Sequence, residues 1–214
     1  MCTRFFIEPS EEMDAYTEAA GSTALLHKMA DTLGREFKAS GEIRPTDIAA
    51  VIAPSSSEEK TVYPMVWGYH IPGVKGPVVN ARIESARDKA SFSSDWRRHR
   101  CIIPASCYFE WEHIKMPDGR VKTGEKYAIR PRSSGLTFLA GLYRIEESRG
   151  LKYPVFTVLT REPTAELARI HNRMPVILPR EAIDDWIRPD ADPDKIASNM
   201  PEDMIVKKAA SVTW

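Results

Sequence analysis

Cys2 is the residue of greatest chemical consequence in this chain. Initiator Met1 is normally removed when the next residue is small, and Cys qualifies. The expected mature chain therefore opens with a 1,2-aminothiol, and with Cys2 directly after Met1 no propeptide is expected. The amine should titrate near ~7.7–8.0 and the thiol near ~8.5, so both nucleophiles are partly available at neutral pH. An aldehyde meeting this pair forms a Schiff base, then closes to a five-membered thiazolidine as sulfur attacks. An internal cysteine lacks the amine and cannot do this. The competing reading makes Cys2 an early residue of a buried strand, because free Cys is among the most buried residue types.

Glu110 lies between Phe109 and Trp111. A carboxylate flanked by aromatics on a strand can be held partly desolvated, which raises its pKa and fits it for general acid–base work. The plainer alternative is a Glu on the solvent face of an edge strand. His171, in RIHNRMPVIL, could shuttle protons near neutral pH. It could equally cap the preceding helix. Asn80 and Arg82 stand two apart at a strand end, so they point the same way. An amide and a guanidinium there suit a sugar and a phosphate, although Asn is also a favoured helix N-cap. Trp67 closes a strand before Gly68 and could stack on a base of single-stranded DNA; by default it is a core residue. His27, His70, His99 and His113 have no partner at catalytic or metal-ligand spacing. Nothing matches HExxH, a P-loop or GxGxxG, so neither a metal nor a nucleotide cofactor is expected.

These residues need elements to position them. Thr3 to Ile7 predicts an N-terminal strand. Residues 11–39 predict helix, with Leu25, Met29, Leu33 and Phe37 on one face, a split at Gly21–Ser22 and a stop at Gly41. Strands are expected at 48–53, 61–67, 107–113, 126–130, 137–142 and 153–159. Within 107–113, Cys107, Phe109 and Trp111 should face one way and Tyr108, Glu110 and Glu112 the other. Pro117-Asp118-Gly119 signals a hairpin turn. Helices are expected at 81–90, 163–170 and 180–187, with 188–214 as loop and C-terminal tail. Strands outnumber helices and run consecutively, which favours α+β over a βαβ alternation.

The chain has 214 residues, one domain's worth, and can bury a core of its own. Three cysteines without CxxC spacing argue against a disulfide framework or a zinc site and favour a reducing, cytoplasmic setting. No secretory signal and no ~20-residue apolar run is present, so no membrane is expected. Nothing suggests more than a monomer. Lys plus Arg is 30 and Asp plus Glu is 30. That neutrality argues against an indiscriminate grip on nucleic acid. It is uneven, however: residues 8–42 balance at −5 and residues 181–203 at −6, leaving +11 on the remainder, where all the candidate residues lie.

The combination of pieces resembles the SOS-response-associated peptidase (SRAP) family, whose members process abasic sites in DNA. The matching pieces are Met1-Cys2-x-Arg4-Phe5, Arg44-Pro45-Thr46, Trp67-Gly68, Asn80-Ala81-Arg82-x-Glu84, Arg100-Cys101-x-x-Pro104-Ala105, Phe109-Glu110-Trp111, Ala140-Gly141-Leu142 and His171-x-Arg173-Met174-Pro175. They come in family order over residues 1–187. The resemblance implies a single compact α+β domain spanning residues 1–214, with a β-barrel-like, largely antiparallel core flanked by helices and a groove for single-stranded DNA. It implies that Cys2 traps the abasic-site aldehyde as a thiazolidine cross-link, with Glu110 as acid/base. His171 would aid opening of the deoxyribose ring, and Asn80 would orient the amine and sugar. Arg4, Arg82 and Arg173 fall where the family contacts phosphates, and Pro45 and Trp67 where it wedges or stacks at the damaged nucleotide. Two alternatives stand beside this: a thiol peptidase or hydrolase using Cys2 and His171, and a non-catalytic single-stranded DNA-binding module. Thr3 and Cys107 replace glycines usual in the family. Thr3 could narrow the approach of DNA; Cys107 is expected to be packed and apolar.

Overall fold

The computed structural model describes residues 2–211. Five strands close into a barrel. β3 (Ile48–Pro54) pairs with β4 (Lys60–Trp67) and β6 (Arg100–Ala105), β6 with β9 (Thr137–Ser148), and β9 with β10 (Leu151–Arg161). The ring is completed by β10 with β4, its one parallel pairing. Burial explains why these segments pair: Ile48 to Ala53, Met65 to Trp67, Cys101 to Ala105 and Val155 to Leu159 are buried without interruption. Gly141 sits where the walls come closest. A Cβ there would fall 2.7 Å from Ile103 Cδ1 and 2.9 Å from the Thr157 carbonyl oxygen.

A second sheet runs in the order β13 (Met204–Lys208), β8 (Val121–Pro131), β7 (Cys107–Lys115), β1 (Arg4–Ile7), β2 (Gly41–Ile43). Short β5 (Asn80–Arg82) lies parallel along β10, and β11 (Met174–Pro175) and β12 (Ile177–Leu178) extend β10 and β9. Six short helices surround the sheets: α1 (Glu11–Gly21), α2 (Ala24–Leu33), α3 (Ile83–Ala86), α4 (Ser93–Arg98), α5 (Ile183–Ile187) and α6 (Pro193–Ala197). The α+β barrel expected from the sequence is the fold observed. Among the described residues no helix is long and apolar enough to cross a membrane.

Several local expectations change. The helical stretch ends at Leu33, not Gly41, because Gly34 takes a left-handed φ of 63° and its N–H closes on the Ala30 carbonyl. The helix expected at 81–90 is a strand and then a single turn, since Asn80 to Arg82 find ladder partners on β10. The helix expected at 163–170 contracts to a 3-10 turn at Leu167–Arg169, whereas that at 180–187 keeps its bounds, as a 3-10 turn running into α5. Strand β6 and helix α4 were not anticipated. Buried Arg100, at the start of β6, donates to the carbonyls of Trp96, Trp186 and Arg188, tying α4 and α5 to the barrel. The expected C-terminal tail contains α6 and β13, which pairs along β8 from Met204 opposite Pro131 to Lys208 opposite Tyr127. Trp214 lies outside the described residues.

Candidate active site

Cys2 enters just ahead of β1 and is fully buried. Because Arg4 stands opposite Phe109 in the β1–β7 ladder, the chain preceding β1 runs beside Glu110. From the other sheet, the Asn80 side chain donates Nδ2–H to the Cys2 carbonyl oxygen at 2.9 Å. The candidate nucleophile is thus held between the barrel extension that carries Asn80 and the strand that carries Glu110. Asn80 Oδ1 is buried and has no hydrogen-bond partner among the described residues. An unpaired buried acceptor is costly, so its presence here marks a place where a donor is wanted. Cys2 Sγ lies 3.8 Å from the Arg4 carbonyl oxygen. Burial, then the nearby Glu110 charge, pushes its thiol pKa far up.

Glu110 is 4 % exposed and accepts the Trp111 N–H at Oε1, 3.3 Å away. Burial raises its pKa above the usual carboxylate range. The alternation expected for this strand holds, and it relocates the cause of the desolvation. Cys107 and Phe109 pack in a small cluster with Ala128, Phe6 and Trp111 on one face, while Tyr108 belongs to the main core on the other. Phe109 therefore points away from Glu110, while Trp111, packed against the same cluster, also borders the groove. Lys126 Nζ sits 3.8 Å from the Phe109 ring centre, on that aromatic side. Cys107 is the packed apolar residue expected.

An open groove of about 540 Å³ runs over this floor, lined by Thr3, Glu110, Trp111, His113, His171 and Arg173, with Arg82 at its side. His171 is 4 % exposed. Its Nδ1 faces two Arg173 backbone groups, the N–H at 3.0 Å and the carbonyl oxygen at 3.2 Å; accepting the shorter contact puts the proton of the neutral ring on Nε2. Burial first, then the charge of the amino terminus, and after it the adjacent His113, lower its pKa to about 4. It is a neutral imidazole at pH 7. His113, which the sequence left without a partner, lies with its ring centre 4.1 Å from that of His171. Larger cavities exist elsewhere, such as one of about 670 Å³ around Asp185, Asp190 and Asp192, but they hold none of this chemistry.

The remaining candidates divide. Arg82 is exposed at the groove and makes no ion pair among the described residues. Arg173 reaches the groove wall, but its guanidinium is bidentate to Glu84, at 2.9 and 2.8 Å, and also donates to the Thr160 carbonyl. Arg4 lies on the edge of β1 and pairs with Glu42 at 3.0 Å. Pro45 leads a tight turn directly after β2. The next residue, Thr46, takes a φ of 77°, strained for a β-branched side chain. The turn is held by Thr46 N–H to the Trp67 carbonyl and by Trp67 N–H to the Asp47 carbonyl. The Trp67 ring itself is fully buried against Phe5 and Phe156, its Nε1–H on the Val79 carbonyl. It offers no face to a base, and the expectation of stacking gives way to a structural placement behind the turn. Thr3 is partly buried at the groove, and its φ is not positive, so β-branching strains nothing there.

The family profile described as SOS response associated peptidase (SRAP) matches residues 1–212. The chain is 32% identical over 172 residues to the abasic site processing protein YoaM of Bacillus subtilis, covering 76% of this chain and 72% of that protein. It is 33% identical over 161 residues to the abasic site processing protein YMR114C of Saccharomyces cerevisiae, covering 71% of this chain and 40% of the yeast protein. A crystal structure of a Bordetella bronchiseptica protein, 20% identical, superposes over the full length of both chains with a TM-score of 0.70. A Bacteroides thetaiotaomicron protein, 23% identical, covers 86% of this chain and 88% of its own, with a TM-score of 0.65.

Proposed function

Because the chain belongs to the SOS response associated peptidase family, we propose that it processes abasic sites by trapping them in single-stranded DNA as a covalent thiazolidine at Cys2. The observation that carries this is the placement of Cys2, whose carbonyl is held by Asn80 beside a groove lined by Glu110 and His171. With Met1 removed, the Cys2 amine forms next to the unpaired Asn80 Oδ1, which accepts one of its protons and aims its lone pair.

The abasic deoxyribose is mostly a closed hemiacetal. The neutral His171 Nε2–H hydrogen-bonds to the ring oxygen as the ring opens to the aldehyde. The amine then adds to the aldehyde carbon to give a carbinolamine. Glu110, whose pKa is raised by burial, donates a proton to the departing hydroxyl, which leaves as water, and an iminium remains. The Cys2 thiol next adds to the iminium carbon and returns a proton to Glu110. Aldehyde and aminothiol have become thiazolidine and water, and Glu110 is regenerated. Arg82 provides an unpaired cation for a phosphate at the groove, Arg173 and Arg4 charged flanks, and Pro45 a rigid edge. The reading needs one chain per lesion and action where the DNA is, in a DNA-damage response.

A thiol peptidase asks for a thiolate beside an imidazolium. Here burial favours the thiol in Cys2 and the neutral ring in His171, which supports aldehyde capture instead. The test incubates the protein with a single-stranded oligonucleotide carrying one abasic site and resolves the products on a denaturing gel. A shifted covalent band is expected, absent in Cys2→Ala and in a chain that retains Met1. A binder without covalent product, or a band undiminished in Cys2→Ala, refutes the proposal.

A further inference from the structure

We infer that His113 is a positioning residue for His171: its ring covers one side of the buried imidazole, keeping it dry and in a single orientation over the groove. The two rings are in contact, 4.1 Å between centres and tilted by 60°. They differ sharply in exposure, His113 open to solvent and His171 at 4 %. The outer ring is thus the boundary between solvent and the inner one.

The backbone shows how His113 comes to be there. β7 and β8 change register between Trp111 and His113, so that Gly124 and Glu125 together stand opposite the single Glu112. A bulge of this kind re-aims the side chains beyond it. Past the bulge, the His113 N–H donates to the Ile170 carbonyl at 2.8 Å, clamping β7 to the segment that ends in His171. Behind the ring, Nδ1 of His171 is held at the Arg173 backbone, 3.0 Å from its N–H and 3.2 Å from its carbonyl oxygen. One imidazole is therefore gripped on two sides, by a backbone donor and by a second ring. Burial first, then the charge of the amino terminus and His113 itself, hold the inner ring neutral.

The inference rests on the aldehyde-trapping role proposed for His171, yet it has a readout that needs no DNA. The His171 ring signals, identified by their loss in His171→Gln, are followed by NMR against pH in the wild type, His113→Ala and His113→Phe. The charged groups around the pair, the amino terminus, Glu110 and Glu112 on β7, and Arg82 and Arg173 at the groove, are the same in all three. Without the covering ring the His171 midpoint should rise from about 4 by about one pH unit or more, toward the ~6.5 of a solvated imidazole. With Phe in place the cover is kept and the midpoint should stay near that of the wild type. The acid limb of the cross-linking rate should move with it, up in His113→Ala and back in His113→Phe. An unmoved midpoint in His113→Ala, or a shift in His113→Phe as large as in His113→Ala, overturns the inference. A wild type that forms no cross-link at all refutes the aldehyde-trapping reading, and the titration still decides on the positioning.

Discussion

Asn80 offers the sharpest separation of function from stability. In Asn80→Ala the 2.9 Å bond to the Cys2 carbonyl is lost, a net loss of about 1 kcal/mol. The stranded Cys2 carbonyl adds an unpaired buried acceptor, worth about 1–3 kcal/mol. In a chain that retains Met1, the same substitution deletes an Asn80 Oδ1 that is buried without a partner, and so removes an opposing penalty of about the same size. There the terms nearly cancel, and the unfolding free energy of the Met1-retaining chain from urea titration should change by less than about 2 kcal/mol. Cross-linking should not be so forgiving. The amine loses the acceptor that aims it and the carbonyl loses its anchor, and two oriented hydrogen bonds correspond to about 10- to 1000-fold in rate. Gel-resolved rates under single-turnover conditions provide the measurement. Asn80→Asp keeps the shape but sets an anion beside the amine, raising the ammonium pKa and moving the pH optimum of cross-linking upward. A rate within twofold of wild type in Asn80→Ala, or a stability loss above about 3 kcal/mol with the rate intact, would show that Asn80 only packs.

Glu110→Gln keeps the size of the side chain and removes its proton chemistry; the cross-linking rate should fall about 10²- to 10⁴-fold with DNA binding retained, and an unchanged rate assigns the proton transfers elsewhere. His171 has its folded pKa depressed to about 4, while the unfolded chain takes that proton near ~6.5. Between those values the unfolded state binds more protons, so stability should fall as pH drops from 6.5 to 4, by at most ~3 kcal/mol from this group. Urea midpoints at pH 7 and 4.5 should converge in His171→Gln, and an equal loss in both proteins would refute the assignment. Gly141→Ala forces a methyl to 2.7 Å from Ile103 Cδ1 and 2.9 Å from a backbone oxygen. It should cost about 1–3 kcal/mol by overpacking, read as a lowered urea midpoint, and an unaltered midpoint would show that the barrel wall yields.

The strand carrying Glu110 was legible because its alternation is set by two buried faces, whichever face the carboxylate takes. Asn80 and Arg82 were legible as a pair pointing one way, but their strand was hidden inside a helical pattern. Their ladder partner on β10 lies some 78 residues away in sequence, Asn80 standing opposite Val158, and local propensity carries no information about it. Trp67 was a true signal with a misread role. The residue matters to the groove through its backbone, which ties the Pro45–Thr46 turn, while its ring lies in the core. β13 was lost because its apolar run, Met204 to Val206, is only three residues long before two lysines, and it acquires its order from β8. His113 had one faint signal: an isolated Gly124 within a strand pattern marks a bulge, and a bulge turns its neighbours. What it turns them toward depends on the 170s segment, which no spacing argument brings near.

Burial also dictates the order of the proposed chemistry. A fully buried thiol whose pKa is driven up is a poor first attacker, because almost none of it is thiolate at neutral pH. The amine has the opposite standing in the proposed mechanism, since the Asn80 amide that holds the Cys2 carbonyl also carries a buried, unpaired Oδ1 able to accept from it. The aldehyde carbon must therefore meet nitrogen first. Once the iminium forms, its positive carbon is tethered next to sulfur, and proximity at an effective molarity of roughly 10⁵ M or more replaces the need for a free thiolate. The same burial that makes Cys2 inert toward passing electrophiles leaves it reactive toward a carbon already bound to its own amine. A thiol reagent such as iodoacetamide should thus modify Cys2 of the folded protein slowly, while abasic DNA cross-links to it quickly. Alkylation of Cys2 as fast as that of a free thiol, followed by mass spectrometry of the N-terminal peptide, would show that sulfur can lead and would reverse this order.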